Sequence, residues 1–366
     1  MQQAGYHTGL VGKWGLGHEK STGLPTRKGF DYFFGYLDQH HAHNFYPSFL
    51  VRNEERVSLP NVVPNEGRWG QGVAEQKRVY SHDLIAAEAL QFVEENQEGP
   101  FFLYLALTIP HANNEAGKLG MEVPDLGSYA EMDWPEPQKG HAAMITRMDR
   151  DIGKLLDKLK ELEIDRETIV FFTSDNGPHR EGGNDPDFHN SNGALRGIKR
   201  SLFEGGIRVP LLVRWPGHLT QGAETDWIGG FQDVLPTLAE LAGGEDRITK
   251  EIDGISFVPA LKQEPSPVDH DHLYWAFYEG GGAQAIREGK WKAIQQPFRT
   301  SIRLYDLSQD IGETTDLADQ LPEVVERLKQ KMSSEYQASD RWRFPKPKGS
   351  PDRRESSGSS NDRKRS

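Results

Sequence analysis

The sequence of 366 residues contains no cysteine. This absence excludes disulfides, thiolate metal sites and cysteine nucleophiles, and it leaves the redox compartment undetermined. No apolar run approaches the ~18 residues that a membrane-spanning helix needs, and the mean hydropathy is -0.69. Basic residues are in the minority, because 43 Lys and Arg face 55 Asp and Glu for a net charge of -12. We therefore expect no membrane span and no nucleic-acid partner, and any anionic ligand must be held by local cations.

The residues that are present suit a globular α/β enzyme of about two domains. Hydrophobic residues make up 36% of the chain, with 38 Gly and 22 Pro. Strand and helix patterns alternate, which predicts a helix-flanked sheet with parallel strands. Strands are expected at 8–12, 101–108, 168–173 and 209–214, and helices at 82–97, 139–162 and 234–241. The apolar run at 101–108 predicts a strand buried on both faces.

The pattern changes after about residue 265. Short alternating segments at 273–277, 283–287, 291–294 and 303–307 predict a small antiparallel sheet, and 323–332 predicts a final helix packed on it. The end of the chain has almost no apolar residues and cannot bury enough surface to order itself. The predicted organisation is a core at 1–264, a C-terminal subdomain at 265–335 and a disordered tail at 336–366.

The pair Asp175-Asn176 follows the strand predicted at 168–173. A carboxylate beside a carboxamide supplies the hard oxygen ligands that Ca²⁺ or Mg²⁺ prefers, and ligands of open α/β sheets bind at the carboxyl ends of strands. Followed by Gly177, the same pair is also typical of a plain turn. Both interpretations stay open on this pair alone.

Three cationic or ionisable side chains lie near other strand ends. Lys13 ends the first strand among glycines, where backbone and ammonium can both meet an anion. His111 follows the second strand, and Lys199 precedes the fourth. With the Asp-Asn pair, they predict a site for a tetrahedral oxyanion beside a divalent ion. Ester hydrolysis of sulfate or phosphate is the reaction class that needs such a site.

The motifs around these residues resemble those of the sulfatase family. In chain order they are G-Y-x-T-x-x-x-G-K-W-x-L-G at 5–17, P-H at 110–111, T-S-D-N-G at 173–177, R-G-x-K at 196–199 and E-G-G-x-R-V-P at 204–210. The phrases L-Y-D-L-S at 304–308 and E-T-T-D-L-A at 313–318 resemble the family's C-terminal subdomain. The resemblance covers roughly residues 1–335.

This resemblance implies an alkaline-phosphatase-like α/β core with a small C-terminal sheet, and hydrolysis of sulfate esters with one Ca²⁺, or Mg²⁺ as the alternative. It implies that Asp175 and Asn176 are metal ligands, that Lys13 and Lys199 bind the sulfate, and that His111 binds the sulfate or assists the leaving group. The implied ligand is a sulfated small molecule or glycan. The family's nucleophile is a formylglycine made from Cys or Ser in a C/S-x-P-x-R motif.

The chain departs from the family pattern at Gly15, where many members have histidine in K-W-H-L-G. His41 and His43 lie in a polar aromatic segment and are candidates for the vacant proton-transfer and substrate-binding role. An ordinary surface loop is the alternative interpretation. The sequence alone does not decide between them.

The formylglycine motif and the family's early Asp-Asp metal pair precede the G-K-W strand, and neither is found in this sequence. Gly23-Leu24-Pro25-Thr26-Arg27 imitates half of the motif, but glycine is not a formylglycine precursor. We therefore expect an N-terminally truncated sulfatase that is inactive or impaired as given. No export leader is expected in the sequence, although the resemblance implies that a complete parent is exported.

Three classes of function stay open at this point. The first is a sulfatase, which the motif set favours. The second is a metal-dependent phosphomonoesterase or phosphonate hydrolase of the same superfold, because a fold alone does not separate these activities. The third is a non-catalytic relative that binds sulfated glycans or serves as a scaffold. The sequence defines neither the particular sulfate ester nor the oligomeric state.

Overall fold

The computed structural model describes residues 1–337, 339 and 341. The chain divides into two compact units, of which the first comprises Met1–Leu273 and Ile311–Glu313 and the second comprises the described residues between 274 and 310 and from 314 onward. The first unit contains a five-stranded sheet built from β1 (His7–Lys13), β2 (Tyr32–Tyr36), β3 (Phe49–Arg52), β4 (Glu55–Ser58) and β5 (Phe101–Ala106). Their order is β4-β3-β2-β1-β5. The sheet is mixed, because β1 runs parallel to β2 and β5 whereas β3 is antiparallel to both β2 and β4.

Strand β1 lies inside the sheet because its apolar residues point to both faces. Leu10 packs with Phe33 in one buried cluster, and its neighbour Val11 packs with Phe34 in another. Burying side chains of this kind contributes about 1.5–3 kcal/mol each. Since β1 and β5 are parallel and pair Gly12 with Ala106, their carboxyl ends open at one edge of the sheet. The expected strand at 8–12 is confirmed and extends to Lys13.

Two long helices accompany this sheet, α1 (Ser81–Glu95) and α2 (Glu136–Glu161). In α1 the apolar positions Ile85, Ala89, Phe92 and Val93 are all buried, at the spacing of one helix face. The aromatic ring of Phe92 fills the space above Gly9, where a Cβ would come within 2.4 Å of it. Both helices confirm the periodicity predictions at 82–97 and 139–162, with small differences at the ends.

The observed burial of strand β5 differs from the prediction. The run was expected to be buried on both faces, but the strand occupies the edge of the sheet and Tyr104 is 51% exposed. The other five residues of the strand are half-buried. An edge strand lacks a neighbour on one side, so an apolar composition alone does not ensure full burial.

A separate sheet of two strands contains β6 (Val170–Thr173) and β7 (Leu211–Arg214), with the four-residue helix α3 (Glu204–Ile207) between them in sequence. The strands are antiparallel, so the expectation of parallel strands is wrong for this pair. The chain returns to the end at which β6 finished, and the hydroxyl of Thr173 donates to the carbonyl of Pro210 at 2.8 Å. The segment between them contains no crossover helix long enough to carry the chain back to the start of β6.

The rest of the first unit includes α4 (Val234–Leu241) and α5 (Val258–Leu261). The first of these helices has the bounds predicted for it. Among residues 1–337, 339 and 341, no helix combines the length and the apolar character that crossing a membrane requires.

The second unit is a four-stranded sheet with one helix. It contains β8 (Leu273–Phe277), β9 (Ala283–Glu288), β10 (Trp291–Gln295), β11 (Arg303–Asp306) and α6 (Pro322–Glu335). The strand order is β11-β10-β9-β8, and β10 is antiparallel to both of its neighbours. Leu328 and Met332 of α6 pack against Ile286, Ala293 and Leu304 of the sheet.

The predicted antiparallel sheet and its covering helix are therefore confirmed. The boundary predicted between residues 264 and 265 stays a prediction. The tail predicted at 336–366 lies outside the described residues, apart from residues 336, 337, 339 and 341.

Candidate anion-binding site

Lys13 lies at the carboxyl end of β1, half-buried. Burial lowers the pKa of its ammonium below the usual value, Lys199 lowers it further, and Asp175 opposes both effects. Such Coulombic coupling falls off with distance and solvent screening. It therefore indicates that groups from three distant parts of the sequence face the same space.

His111 follows β5 in a tight turn, where its backbone N–H donates to the carbonyl of Thr108 at 3.0 Å. Its Nδ1 lies 2.8 Å from the carbonyl oxygen of Ala112, and its Nε2 lies 2.9 Å from the Nζ of Lys199. Burial and the neighbouring Lys199 lower the pKa of His111 to about 3. The ring is therefore neutral at ordinary pH.

Lys199 is positioned by close contact between two glycine-containing turns. Its backbone N–H donates to Pro178 at 2.9 Å, and the N–H of Gly177 donates to Gly206 at 3.0 Å. A Cβ at Gly177 would lie 1.8 Å from the carbonyl oxygen of Gly205, so only glycine allows this approach. The turn after β6 and the turn before β7 are thereby held together.

Arg196 anchors the other end of the R-G-x-K segment. Its Nη1 donates to the carbonyl of Glu313 at 2.8 Å, and its guanidinium lies 4.1 Å from the ring centre of Phe203. The side chain is therefore engaged within the first unit, and its structural contribution is to hold the segment that carries Lys199.

Glu181 is a site residue that the sequence reasoning missed. Its carboxylate lies 3.1 Å from the Nζ of Lys199 and also pairs with Arg200. These hydrogen bonds overcome the opposing effect of burial and lower the pKa of Glu181 to about 2. The only sequence signal was an acidic residue near the basic R-G-x-K-R segment. We conclude that Lys199 is counterbalanced by a carboxylate as well as by an imidazole.

His43 joins the cluster, whereas His41 does not. The ring of His43 stacks on that of His111 with centroids 5.2 Å apart, and its Nδ1 lies 3.3 Å from the carboxylate of Glu115. His41 is only 2% exposed and packs on Tyr36 and Phe49. Burial lowers the pKa of His41 to about 4. The structure therefore places His41 in the core, and it supports only His43 as a ligand-facing candidate.

His179 lies in the segment between β6 and β7. Its ring stacks against His111 at 5.5 Å, its Nε2 lies 2.9 Å from the carbonyl oxygen of Pro110, and its Nδ1 accepts from the backbone N–H of Glu181. Both ring nitrogens are thus occupied by backbone groups. His179 supports the ring of His111 and has no nitrogen left for a ligand.

Gly15 has a backbone conformation that suits glycine. Its φ is +85°, and a Cβ at this position would lie 2.9 Å from the side chain of Gln39. Its N–H donates to the carbonyl of Leu37 at 3.0 Å. A histidine in this conformation would be strained, so the departure from the family pattern is built into the backbone.

Asp175 and Asn176 occupy the turn directly after β6. The residue Asp175 is exposed and Asn176 is half-buried, and the Nδ2 of Asn176 donates to the carbonyl of Gly177 at 2.9 Å. The amide oxygen and the carboxylate are therefore the atoms that suit a hard cation. Within the described part of the chain, no group of three or more acidic or histidine side chains is arranged to hold a metal. The pair supplies two oxygen donors of the kind that Ca²⁺ takes.

The segment at 23–27 has a structural role. Pro25–Arg27 forms a short 3₁₀ helix, and Arg27 pairs with Glu54 at 3.1 Å. The carbonyl of Gly23 accepts a hydrogen bond from the indole of Trp14 at 2.7 Å. Among the described residues, no hydrogen bond or ion pair joins this segment to the side chains of Lys13, His111 or Lys199.

The arrangement as a whole can bind a compact oxyanion. Two ammonium groups and a neutral imidazole meet at the carboxyl ends of β1 and β5 and at the turn before β7. Half-buried cations interact with an anion more strongly than solvated ones, because the local dielectric is lower. The carboxylate of Asp175 raises the pKa of Lys13, and Asn176 follows it in the same turn.

Comparison with known proteins shows where this combination of fold and motifs recurs. The family model described as "Sulfatase" matches residues 1–244, and the model "N-sulphoglucosamine sulphohydrolase, C-terminal" matches residues 198–338. N-acetylgalactosamine-6-sulfatase of Homo sapiens is 33% identical over 304 residues, which cover 80% of this chain and 52% of that protein. Arylsulfatase A of Homo sapiens is 30% identical over an alignment 372 positions long, and the alignment covers 89% of this chain and 68% of that protein. The chain spans about half the length of the N-acetylgalactosamine-6-sulfatases that it matches.

Solved structures show the same fold. The crystal structure of Ps i-CgsB in complex with k-i-k-neocarrahexaose aligns with a TM-score of 0.73 and 25% identity, and it covers 91% of this chain and 72% of that one. BT4656, solved with its substrate D-glucosamine-2-N,6-O-disulfate, aligns with a TM-score of 0.64 and 20% identity, covering 91% and 80% of the two chains. The second comparison shows the fold alone.

Proposed function

The chain belongs to the sulfatase family, and on that premise we propose that its site binds and hydrolyses sulfate esters. The observation that carries the proposal is the 2.9 Å contact between the ammonium of Lys199 and the imidazole of His111, because His111 follows β5 and Lys13 ends β1, the strand paired with β5. Lys199 and Asp175 also act on the pKa of Lys13, which supports a sulfate bound beside a cation. The relatives named above, which include two kinds of sulfatase, favour sulfate over phosphate.

Each side chain has a distinct role in the proposal. Lys13 and Lys199 neutralise the sulfate oxygens, and their partial burial keeps competing water away. His111 accepts a hydrogen bond from Lys199 and directs that ammonium into the site. Glu181 holds the same ammonium from another direction.

Asp175 and Asn176 are proposed as two of the ligands of a Ca²⁺ ion, with Mg²⁺ as the alternative. When bound, the ion would polarise a sulfate oxygen as a Lewis acid. Two donors supply only part of the six to eight oxygens that Ca²⁺ takes. No residue of this chain is assigned the nucleophile, since the sequence has no cysteine and glycine stands at position 23.

A sulfated glycan is the proposed substrate class. N-acetylgalactosamine-6-sulfatases are named for a sulfated sugar, and Ps i-CgsB holds neocarrahexaose. A smaller aryl sulfate would occupy the same oxyanion site with fewer contacts, and it therefore serves as the probe.

The test is sulfate binding by calorimetry with Ca²⁺ present, together with hydrolysis of 4-nitrophenyl sulfate. Replacing either Lys13 or Lys199 with alanine should weaken sulfate binding by about tenfold or more, as expected for a lost charge-assisted hydrogen bond. Lys160→Ala is the matched control, because the ammonium of that lysine pairs with the exposed Asp157 on α2. Sulfate binding that is insensitive to both site variants would contradict the proposal. Faster hydrolysis of the corresponding aryl phosphate would favour the phosphatase alternative.

A further inference from the structure

The hydrogen bonds of His111 determine which of its nitrogens carries the proton. The carbonyl oxygen of Ala112, 2.8 Å from Nδ1, can only accept, so Nδ1 carries hydrogen. The ammonium of Lys199, 2.9 Å from Nε2, can only donate, so Nε2 presents a lone pair. His111 consequently has no N–H to offer a ligand at Nε2.

The neighbouring ring of His43 matches His111 at Nδ1 and differs from it at Nε2. Both carboxylate oxygens of Glu115 lie 3.3 Å from its Nδ1, and a carboxylate accepts, so Nδ1 carries hydrogen here as well. No described residue forms a hydrogen bond with its Nε2. When the ring is doubly protonated, that nitrogen is a donor free to meet a ligand.

Glu115 is itself held in place for this contact. Its backbone N–H donates to the side-chain oxygen of Asn113 at 3.2 Å. Asn113 is fully buried, and its amide donates to Glu122 at 2.7 Å and to the carbonyl of Gly72 at 3.0 Å. The carboxylate that orients His43 therefore rests on a fixed buried turn.

We propose that His43, oriented by Glu115, presents the imidazole N–H to an oxygen of the bound sulfate or sulfate ester, while His111 acts only as an acceptor that orients Lys199. His43 thereby supplies the donor that glycine at position 15 does not provide. The inference rests on the proposed function and refines it, because it assigns a bare Nε2 to His111 and a protonated Nε2 to His43, although the two rings are stacked. Glu115 acts as a positioning residue.

Four groups control the protonation of His43. The pKa of His43 lies below its usual value, because burial lowers it, Glu115 raises it, and His40 and Lys13 lower it further, while the ring of His111 lies against its face. A bound sulfate brings negative charge close to the ring and favours its protonated form. Sulfate binding and protonation of His43 should therefore strengthen each other.

The first arm of the test is NMR of the imidazole nitrogens in ¹⁵N-histidine-labelled protein, between about pH 5 and pH 8 where histidine titrates. His111 should keep hydrogen on Nδ1 and a bare Nε2 throughout this range. His43 should take up its second proton at a higher pH when sulfate is added. Appearance of hydrogen on the Nε2 of His111 in the sulfate complex would overturn the assignment.

The second arm measures sulfate affinity against pH by calorimetry. In the unchanged chain the affinity should fall as pH rises through the transition of His43. His43→Gln should weaken binding about tenfold at the acidic end, the effect of one charge-assisted hydrogen bond, and should remove the pH dependence. Glu115→Gln should shift that dependence to lower pH, which a merely structural role would not do. His7→Gln is the control, because His7 begins β1 at the end opposite Lys13 and pairs with Asp31, and it should change neither quantity appreciably.

The outcomes separate the two proposals. Sulfate binding that persists in His43→Gln with its pH dependence intact overturns the role of His43 and leaves the proposed function standing. A chain that shows no sulfate binding at any pH contradicts the proposed function, and this inference fails with it.

Discussion

The ammonium nitrogen of Lys199 lies 2.9 Å from the Nε2 of His111, although the two residues are 88 positions apart. In this contact Lys199 is the hydrogen-bond donor and His111 is the acceptor. The carboxylate of Glu181, 3.1 Å from the same ammonium, completes a small network of charged hydrogen bonds. Several measurable properties of the protein depend on it.

The first prediction concerns the stability of the folded chain in acid. His111 has a pKa of about 3 in the folded state, below the ordinary value of 6.5, so the unfolded chain binds its proton first. This difference in pKa stabilises the folded state above about pH 6.5, and the stabilisation is lost as pH falls toward 3. Thermal unfolding should show a smaller loss between pH 7 and pH 5 in His111→Gln than in the unchanged chain. An identical loss in both would refute this coupling.

The second prediction concerns the ion pair of Glu181. Its pKa of about 2 lies below the ordinary value of 4.5, so its stabilising effect is present above pH 4.5 and disappears as pH falls toward 2. Glu181→Gln should lower the free energy of unfolding at pH 7 by about 1–2 kcal/mol, once screening by solvent is allowed for. Urea titrations at pH 7 and pH 3 should show the difference shrinking in acid. The exposed Glu131 provides the control, because its replacement by Gln should change little at either pH.

The third prediction separates backbone strain from steric contact at Gly15. Gly5 has nearly the same φ, +87° against +85°, but a Cβ there would meet nothing within 4 Å. Gly5→Ala should therefore cost about 1 kcal/mol of stability from strain alone. Gly15→Ala should cost more, because its Cβ would meet the side chain of Gln39. Adding Gln39→Ala should recover the difference, and equal costs for the two single variants would count against the steric explanation.

The fourth prediction tests the junction that positions Lys199. A Cβ at Gly177 would collide with the backbone of Gly205, so Gly177→Ala should lower stability by about 1–3 kcal/mol and weaken sulfate binding. The control is Gly153→Ala on α2, where a Cβ meets nothing. That variant should gain about 0.5–1 kcal/mol from the better helix propensity of alanine. Unchanged sulfate affinity in Gly177→Ala would show that the junction does not position the ammonium.

The fifth prediction concerns the proposed cation. If Asp175 supplies a ligand, Ca²⁺ at one hundred times its dissociation constant should stabilise the chain by about 2.7 kcal/mol. Calorimetric unfolding with and without Ca²⁺ measures this, and the stabilisation should be lost in Asp175→Asn. Asp157→Asn, on the exposed surface of α2, is the control that should retain it. A chain stabilised equally in both variants would exclude Asp175 as a ligand.

Local sequence patterns determined much of this fold. The 3.6-residue periodicity of α2, the bounds of α4 and the alternating strands from β8 to β11 could all be predicted, because each depends on neighbours within a few residues. The order of the motifs also predicted that Lys13, His111 and Lys199 would lie near one another. Lys13 ends β1 and His111 follows β5, parallel strands whose carboxyl ends open at one edge of the sheet, whereas Lys199 reaches His111 from the turn before the antiparallel β7.

Other features depended on contacts between segments that are distant in the sequence. The antiparallel pairing of β6 and β7 and the exposed edge of β5 follow from which strands become neighbours. Glu181 and Glu115 became site residues only because folding brought them to Lys199 and His43. A carboxylate carries no local signal of its distant partner.

His41 and His43 show the division most clearly. They are two positions apart in one segment, and the sequence offered both for the same role. It established that this chain has the charged groups of an oxyanion site and a glycine at position 15. Only the tertiary structure decided which imidazole lies beside His111. Burial and hydrogen-bond partners are set by packing between distant segments, which turned His41 into the core and left His43 stacked on His111.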